Sequence, residues 1–526
     1  MQVLVYLFEH AGSVVSRSEL EQQLWPGRVV TEDAVTNAIA KLRRVFGDDA
    51  RHPRVIETVS KIGYRLIAHV NPNVGISDPA TVSTDLKLYS KGRGWRSGIV
   101  WAAGIISVLL ILVSTLGYLG KGILTSRSDP LSGKPAVAIM PFKNLGITPE
   151  QDYFANGITA DLITDLSKVS ALLVIAPGSV FAYKDSLTGP RQISSELDVD
   201  YVVMGSVQRL GDRLRVNVQL MEAGVERAIW GERYDSTMNQ IFSVQDRLVT
   251  AVIMALKVEL GPTERTTLSK QPTNSVAAYD HYLQGYEAHG HRSREQNLTA
   301  REHFQRAIQL DPGFARAYAG LALTHSRDAI DGWTMTPERS LEQAAELAGK
   351  AAVMDPSLPQ VHFVSAQVDL FRHRHLQAIE AAQRAIEIEP NYADAYALSA
   401  WILNYAGRPA EALTSMEMAM RLNPRPTASY LEVLGEIRFV LGQYKESVSI
   451  FERVLNINPN YTRARMWNVA ALAHAGFRDR ADWEAIELLI LNPNFTLTRL
   501  EFAFPFQDPR ELDKLLSGLK MAVLPD

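Results

Sequence analysis

Thr36, Asn37, Lys41 and Arg44 are the residues whose types and spacing suggest chemistry in this chain. An asparagine amide and an arginine fork can each pair with two atoms on the edge of a base. Lysine and arginine also neutralise phosphates. Within Glu32–Phe46, the apolar residues Val35, Ile39, Leu42 and Phe46 recur at spacings of 4, 3 and 4. That period makes them the buried stripe of a helix and turns Thr36, Asn37, Ala40, Lys41 and Arg44 outward. Thr31 can cap the helix and Gly47 ends it.

Other constellations fall short of a reaction. Asp161 and Asp165 lie one turn apart and read as carboxylates on a wet helix face, while Glu232 and Asp235 close a strand. Neither pair has a histidine or nucleophile in register, so no acid–base assignment follows. His289 and His291, and His373 and His375, are two residues apart on or near helices, where side chains diverge. His281 adds no third ligand to either pair. The chain has no cysteine, which excludes disulfides, thiolate metal sites and a cysteine nucleophile. No catalytic residue, cofactor or metal is therefore expected.

The elements around the outward-facing residues are short. Val3–His10 is apolar and ends near Ala11-Gly12; Ser16 opens a second helical stretch with Leu20 and Leu24 inward, broken at Pro26-Gly27. Arg54–Leu66 reads as a hairpin with its turn at Lys61–Gly63. Residues 1–70 hold nine Lys/Arg against eight Asp/Glu, a faint basic footprint. A polar Pro/Gly-containing linker, 71–97, follows.

Gly98–Gly120 is a run of 23 residues without charge or proline. As a helix it spans roughly 34 Å, enough to cross a hydrocarbon core of ~30 Å. Lys87, Lys91, Arg93 and Arg96 precede it; Lys121, Arg127 and Lys134 follow it. That balance, four against three, leans towards a cytoplasmic N-terminus. At 526 residues, 46% hydrophobic and 21% charged with a net charge of −4, the chain is otherwise ordinary globular material and long enough for several domains.

Beyond the apolar run, Pro135–Phe142 reads as a buried strand and Gln151–Ser170 as a helix with Phe154, Ile158, Leu162 and Leu166 inward. Leu172–Ala176 is a strand and Arg191–Leu197 a helix. Tyr201–Leu210, Leu214–Glu222 and Ala228–Tyr234 alternate as antiparallel strands, and Met238–Leu260 is a closing helix. From residue 275 the pairs ending in Pro312, Pro356, Pro390, Pro424, Pro459 and Pro493 are spaced 44, 34, 34, 35 and 34. A 34-residue period with a terminal proline is the tetratricopeptide signature. The extra residues of the 44-residue interval, in the second repeat, are expected in its inter-helix loop near Ile330–Glu338. The tail from Phe495, with an amphipathic Glu511–Met521, reads as a cap over the last repeat.

The order VVSRSEL, AKLRRVFGDD and RVIETVSKIGYRL resembles the winged helix-turn-helix output domain of OmpR/PhoB-type bacterial regulators. The resemblance implies double-stranded DNA as partner. It makes Thr36, Asn37, Lys41 and Arg44 major-groove candidates, and Arg43, Lys61, Tyr64 and Arg65 candidates for phosphate or wing contacts. The small β-platform that opens the family domain is lacking, and upstream sequence is expected to supply it. Residues 134–261, with AVAIMPFKNL, DYFANGITADLITDLSK and LDVDYVVMGSVQR, resemble the TolB N-terminal-like domain.

The expected fold is multidomain. It comprises an α+β winged helix (1–70), a single transmembrane helix (98–120), an α/β TolB-like domain (134–261), an all-α tetratricopeptide solenoid (275–493) and a capping segment (494–526). The whole is similar to CadC- and ToxR-type one-component regulators. That resemblance implies a non-enzymatic, single-pass protein of the bacterial inner membrane with a periplasmic C-terminal part. It also implies a protein or peptide ligand in the repeat groove and a homodimer when active. No receiver pattern precedes the winged region, so phosphorylation is not implied. The alternative is a membrane-anchored repeat scaffold with a degenerate DNA-binding remnant. A nucleotide cyclase, which shares some of these modules, is set aside because no cyclase domain is visible.

Overall fold

The computed structural model describes residues 2–16, 19–20, 23, 39, 42–43, 48, 53–59, 63–68, 133–146, 151–186, 188–268, 270–500, 504–522 and 524–525. It divides into two units, Met1–Gly120 and Lys121–Asp526. The apolar run Gly98–Gly120 and the linker lie outside the described residues. Among the described residues no helix is long and apolar enough to cross a membrane.

In the first unit, helix α1 (Gln2–Glu9) precedes strands β1 (Val15–Ser16), β2 (Ile56–Val59) and β3 (Gly63–Leu66). The sheet order is β1-β3-β2, antiparallel throughout. Val3, Leu7, Val15, Leu20, Ile39, Ile56, Tyr64 and Leu66 form its core. The hairpin carries a third strand that two residues of sequence could not announce. Gly63 belongs to β3 rather than to the turn, because it pairs with both Val59 and Ser16. A Cβ there would lie 1.9 Å from the Val15 carbonyl oxygen, so only glycine admits β1 at this distance. Of the helical stripe, Ile39 is buried and Leu42 packs against the core, while Val35 and Phe46 lie outside the described residues.

The second unit begins with a mixed sheet. Its strands are β4 (Ala136–Ile139), β5 (Lys143–Asn144), β6 (Leu173–Val174), β7 (Tyr201–Leu210), β8 (Arg213–Glu222) and β9 (Arg227–Thr237). The order is β6-β4-β7-β8-β9, with β5 also on β7; β6, β4, β5 and β7 run parallel and β7-β8-β9 antiparallel. Helices α2 (Asp152–Ser167), α3 (Pro177–Val180), α4 (Pro190–Leu197) and α5 (Ile241–Ala255) accompany it, and α6 (Pro262–Leu268) leads away.

Helix α2 departs from the amphipathic expectation. Phe154, Ile158, Leu162 and Leu166 are buried as anticipated, but so are Asn156, Thr159, Asp161 and Ser167. The sheet covers one side and the repeats cover the other, so Asp161 is not on a wet face.

The repeats are α7 (Val276–Gly290), α8 (Arg294–Leu310), α9 (Ala315–Ile330), α10 (Pro337–Met354), α11 (Pro359–Phe371), α12 (His375–Ile388), α13 (Ala393–Tyr405), α14 (Pro409–Leu422), α15 (Ala428–Val440), α16 (Tyr444–Ile457), α17 (Thr462–His474) and α18 (Arg478–Leu491). They pack as successive hairpins, each first helix also meeting the next pair. Small residues permit this: a Cβ on Gly435 would meet the Phe451 ring at 2.7 Å, and one on Gly320 the Phe304 ring at 2.7 Å. The hairpin turns contain a left-handed residue, Gly407, Gly442 and Gly476 at φ 74°, 75° and 84°, with His373 at 56° in the equivalent place. The extra length of the 44-residue interval is only partly a loop. Residues 331–336 do separate its helices, but α9 and α10 have 16 and 18 residues where α13 and α14 have 13 and 14. Most of the extra chain therefore extends the two helices. Helix α19 (Pro509–Lys520), capped by the Asp508 side chain, ends the described chain close to α17.

Candidate nucleic-acid interface and the repeat body

Of the candidate DNA contacts, Thr36, Asn37, Lys41, Arg44 and Lys61 lie outside the described residues. Arg43, Tyr64 and Arg65 are described, and each has a partner inside the unit. Arg43 donates through Nη2 to the Ile56 carbonyl at 2.8 Å and to Thr58 Oγ1 at 2.7 Å. That ties the helical segment bearing Leu42 to β2. Arg65 pairs with Glu57, its cross-strand neighbour, at 2.5 Å, with both side chains about one-third exposed. Tyr64 is 2% exposed and packs between Val15 and Thr58 of the flanking strands. The ring works as core, because β3 is the central strand and this face is the buried one. A phosphate contact would require it to leave that core.

Sequence reasoning missed Asp48. Its Oδ1 accepts from the Arg54 and Val55 amides at 2.6 and 3.2 Å, and its Oδ2 from the Ile56 amide at 2.9 Å. Burial alone would raise this carboxyl. The three amides and the nearby Arg43 guanidinium outweigh burial and hold it below the usual carboxylate range. Asp48 thus organises the entry into the wing. The motif GDD in the quoted resemblance was the available signal.

The second unit brings together residues that were read as unrelated. Asp161 Oδ2 accepts from Tyr279 Oη at 2.5 Å and from Gln245 Nε2 at 3.1 Å, and Oδ1 accepts from Arg316 Nη1 at 3.1 Å. These partners come from α7, α5 and α9. Burial raises the Asp161 carboxyl, and Arg316 and Tyr279 oppose that rise. Beside it, Asp280 accepts from Tyr153 Oη at 3.0 Å and from Arg209 at 2.7 Å. This is a lock between the α/β layer and the first repeats rather than an acid–base pair, since every carboxylate oxygen named is engaged with a structural donor.

The sheet edge is closed by the repeats as well. Asn391 Oδ1 accepts from the β6 amide of Val174 at 3.2 Å, and its Nδ2 donates to the Ser167 carbonyl at 3.1 Å. The Ala176 amide donates to the Leu422 carbonyl at 2.8 Å, and Ser179 Oγ donates to Asn423 Oδ1 at 2.5 Å. An edge strand that would otherwise expose unpaired backbone is thereby covered.

Glu389, at the same junction, is 5% exposed and its Oε2 has no hydrogen-bond partner. Burial pushes its carboxyl up to about 8, with Lys168 partly opposing. A raised carboxyl favours the protonated fold, so its contribution is complete below the ordinary glutamate range and fades as pH rises through about 8. Going from pH 6 to pH 8.5 should cost the second unit about 2–3 kcal/mol, and Glu389→Gln should flatten that dependence. Urea unfolding at the two pH values measures it; equal slopes in wild type and variant would contradict the assignment.

The later first helices carry a further polar cluster. Glu436 is fully buried; its Oε2 accepts from Trp401 Nε1 at 3.1 Å and from Tyr405 Oη at 3.0 Å, and its Oε1 accepts from Arg463 at 2.9 Å. Arg463 Nε also pairs with Glu432 at 2.8 Å. Among the described residues no group of three or more His, Asp or Glu is placed to hold a metal ion.

Comparison with known proteins follows this division. Residues 1–66 match the family described as transcriptional regulatory protein, C terminal; residues 133–251 match the HilA/YgeH-like transcriptional regulator, second domain; residues 428–461 match a tetratricopeptide repeat. A Rhizobium meliloti (strain 1021) protein provisionally named adenylate cyclase 3 is 39% identical over 236 residues, covering 45% of this chain and 40% of that protein. The transcriptional activator CadC of Escherichia coli (strain K12) is 23% identical over 367 residues, covering 63% of this chain and 70% of CadC. The transcriptional regulator HilA of Salmonella typhimurium (strain LT2) is 42% identical over 82 residues, 16% of this chain and 14% of HilA. The chain thus spans less than half the length of the first of these relatives. Among solved structures, a thermophilic tetratricopeptide protein of Thermus thermophilus is 18% identical, covering 37% of this chain and 99% of its own, with a TM-score of 0.31. Taken together, the chain carries a DNA-binding domain of the OmpR/PhoB type, a second domain of the HilA/YgeH-like regulators, and tetratricopeptide repeats.

Proposed function

We propose that the chain is a membrane-anchored one-component transcriptional regulator. Its first unit binds double-stranded DNA in the cytoplasm. The apolar run Gly98–Gly120 crosses the bacterial inner membrane once, and the second unit, read as a TolB-like layer with repeats, senses a protein or peptide ligand on the other side. Two copies associate when active. The observation that carries this reading is the regulator-type domain at residues 1–66, whose wing hairpin is held to the preceding segment by Arg43 and Asp48. The likeness to the transcriptional activator CadC, over 63% of this chain, supports the regulator reading. The activity in the first relative's name is said of that protein alone, and this chain spans 40% of it.

Thr36, Asn37, Lys41 and Arg44 are proposed to meet the major groove, with Lys61 and Arg65 at the backbone. Promoter DNA should be shifted by the full chain in detergent, with affinity falling steeply as salt rises. Lys41→Ala with Arg44→Ala should shallow that salt slope by about 2. Binding that ignores salt, or a double variant indistinguishable from wild type, would remove the DNA reading. An enzymatic reporter fused at the C-terminus and active only in the cytosol would remove the orientation.

A further inference from the structure

The chain's own tail lies against the first helices of the later repeats. Phe504 meets Trp467 edge-on, ring centres 5.7 Å apart, and the Arg463 guanidinium sits 4.8 Å from its ring centre. Phe506 meets Tyr405 at 4.6 Å and Trp467 at 6.4 Å. The two rings are 5% and 9% exposed. Main-chain groups are read as well: the Pro505 carbonyl accepts from His375 Nε2 at 2.6 Å, and the Gln507 amide donates to the Tyr405 carbonyl at 2.8 Å. A short segment is thus held by two aromatic side chains and by backbone bonds on either side of Phe506. Extended peptides are recognised in the same way.

The fit is incomplete on the polar side. Asn404 is fully buried, and neither its Oδ1 nor its Nδ2 has a hydrogen-bond partner; Trp467 Nε1 has none either. Asn404 follows Trp401 by three residues on α13, so the two share a helix face. Buried amide and indole N–H groups without partners are rare, and each calls for an explanation. The tail packs both rings against Trp467 and leaves its indole N–H unanswered.

The geometry points to a recognition groove on α12, α13 and α17 for a partner peptide carrying an aromatic–proline–aromatic segment, with Phe504-Pro505-Phe506 as its internal competitor. This rests on the reading of the repeats as the partner-binding part. The cognate peptide presents two rings to Tyr405, Trp467 and Arg463, and its backbone or an amide side chain answers the Trp467 indole. Because the tail is tethered, it competes at an effective concentration far above that of a free peptide.

The probe is a labelled hexapeptide with the sequence of residues 503–508, titrated into the full chain in detergent and followed by fluorescence anisotropy. Phe504→Ala with Phe506→Ala should bind it at least ten-fold more tightly than wild type, and a peptide with both phenylalanines replaced by alanine should not bind. Gln507→Pro, which removes one backbone bond without opening a cavity, should tighten binding by a smaller factor. No saturable binding to either variant overturns the proposal. So does loss of the folded repeats in the double variant together with unchanged binding in Gln507→Pro, because the rings are then core. The DNA shift of the same preparations separates the two readings: peptide failure with DNA binding intact removes only the groove, and the converse removes only the regulator.

Discussion

Arg316→Leu should destabilise the Lys121–Asp526 unit by about 3–5 kcal/mol, the cost of leaving a buried charge without its partner. Arg316 opens α9, and its side chain is 15% exposed against 11% for Asp161. It is the only cation within hydrogen-bond reach of Asp161 among the described residues. Without it, Asp161 keeps Tyr279 and Gln245 but must be neutral or bear an uncompensated charge. The pair joins segments 155 positions apart, so the loss falls on the contact between the α/β layer and the repeats. Proteolysis should then open first between α5 and α7. Adding Asp161→Asn should recover part of the loss, since the amide can stay bonded to Tyr279 without a charge. Urea unfolding followed by circular dichroism decides it. A change below about 1 kcal/mol would mean that the lock is ornamental.

Asp48→Ala should have the next largest effect, on the first unit. One carboxylate accepts three consecutive backbone amides there. Bonds to a charged acceptor are worth more than neutral ones, and their joint loss costs about 2–4 kcal/mol. The unit's described core consists of eight buried side chains, so this is a large share of its stability. The wing would lose its register against the segment bearing Arg43. Promoter affinity at fixed salt should fall at least about 100-fold, the equivalent of roughly 2.7 kcal/mol. Because the Asp48 carboxyl is held low, its contribution is complete above the ordinary carboxylate range and is lost only as pH falls through that lowered value. A variant that melts and binds like wild type would show that the wing is held by other means.

The same contrast runs through the prediction for Glu389. Its pH sign is opposite to that of Asp48, because burial dominates where amides are absent and yields where they are present.

Much of the architecture was legible in the order of residues alone. The period of 34 announced the repeats, the terminal prolines marked the ends of their second helices, and alternation over Arg215–Leu220 placed β8. Such signals survive because they are local: a helix or strand shows its buried face through spacing, whatever it packs against. The Phe154, Ile158, Leu162 and Leu166 stripe belongs to this class. So does the hairpin at Ile56–Leu66.

What only the tertiary structure decided is which polar residues lost their water. Asp161 reads as an ordinary surface carboxylate until α7 and α9 cover the second face of α2. Asn391 looks like loop filler until it closes the edge of β6, and the particular rings that Phe504 and Phe506 reach, Tyr405 and Trp467, appear only in the fold. In each case the partner lies far along the chain, and no local period encodes a contact between segments that only folding brings together.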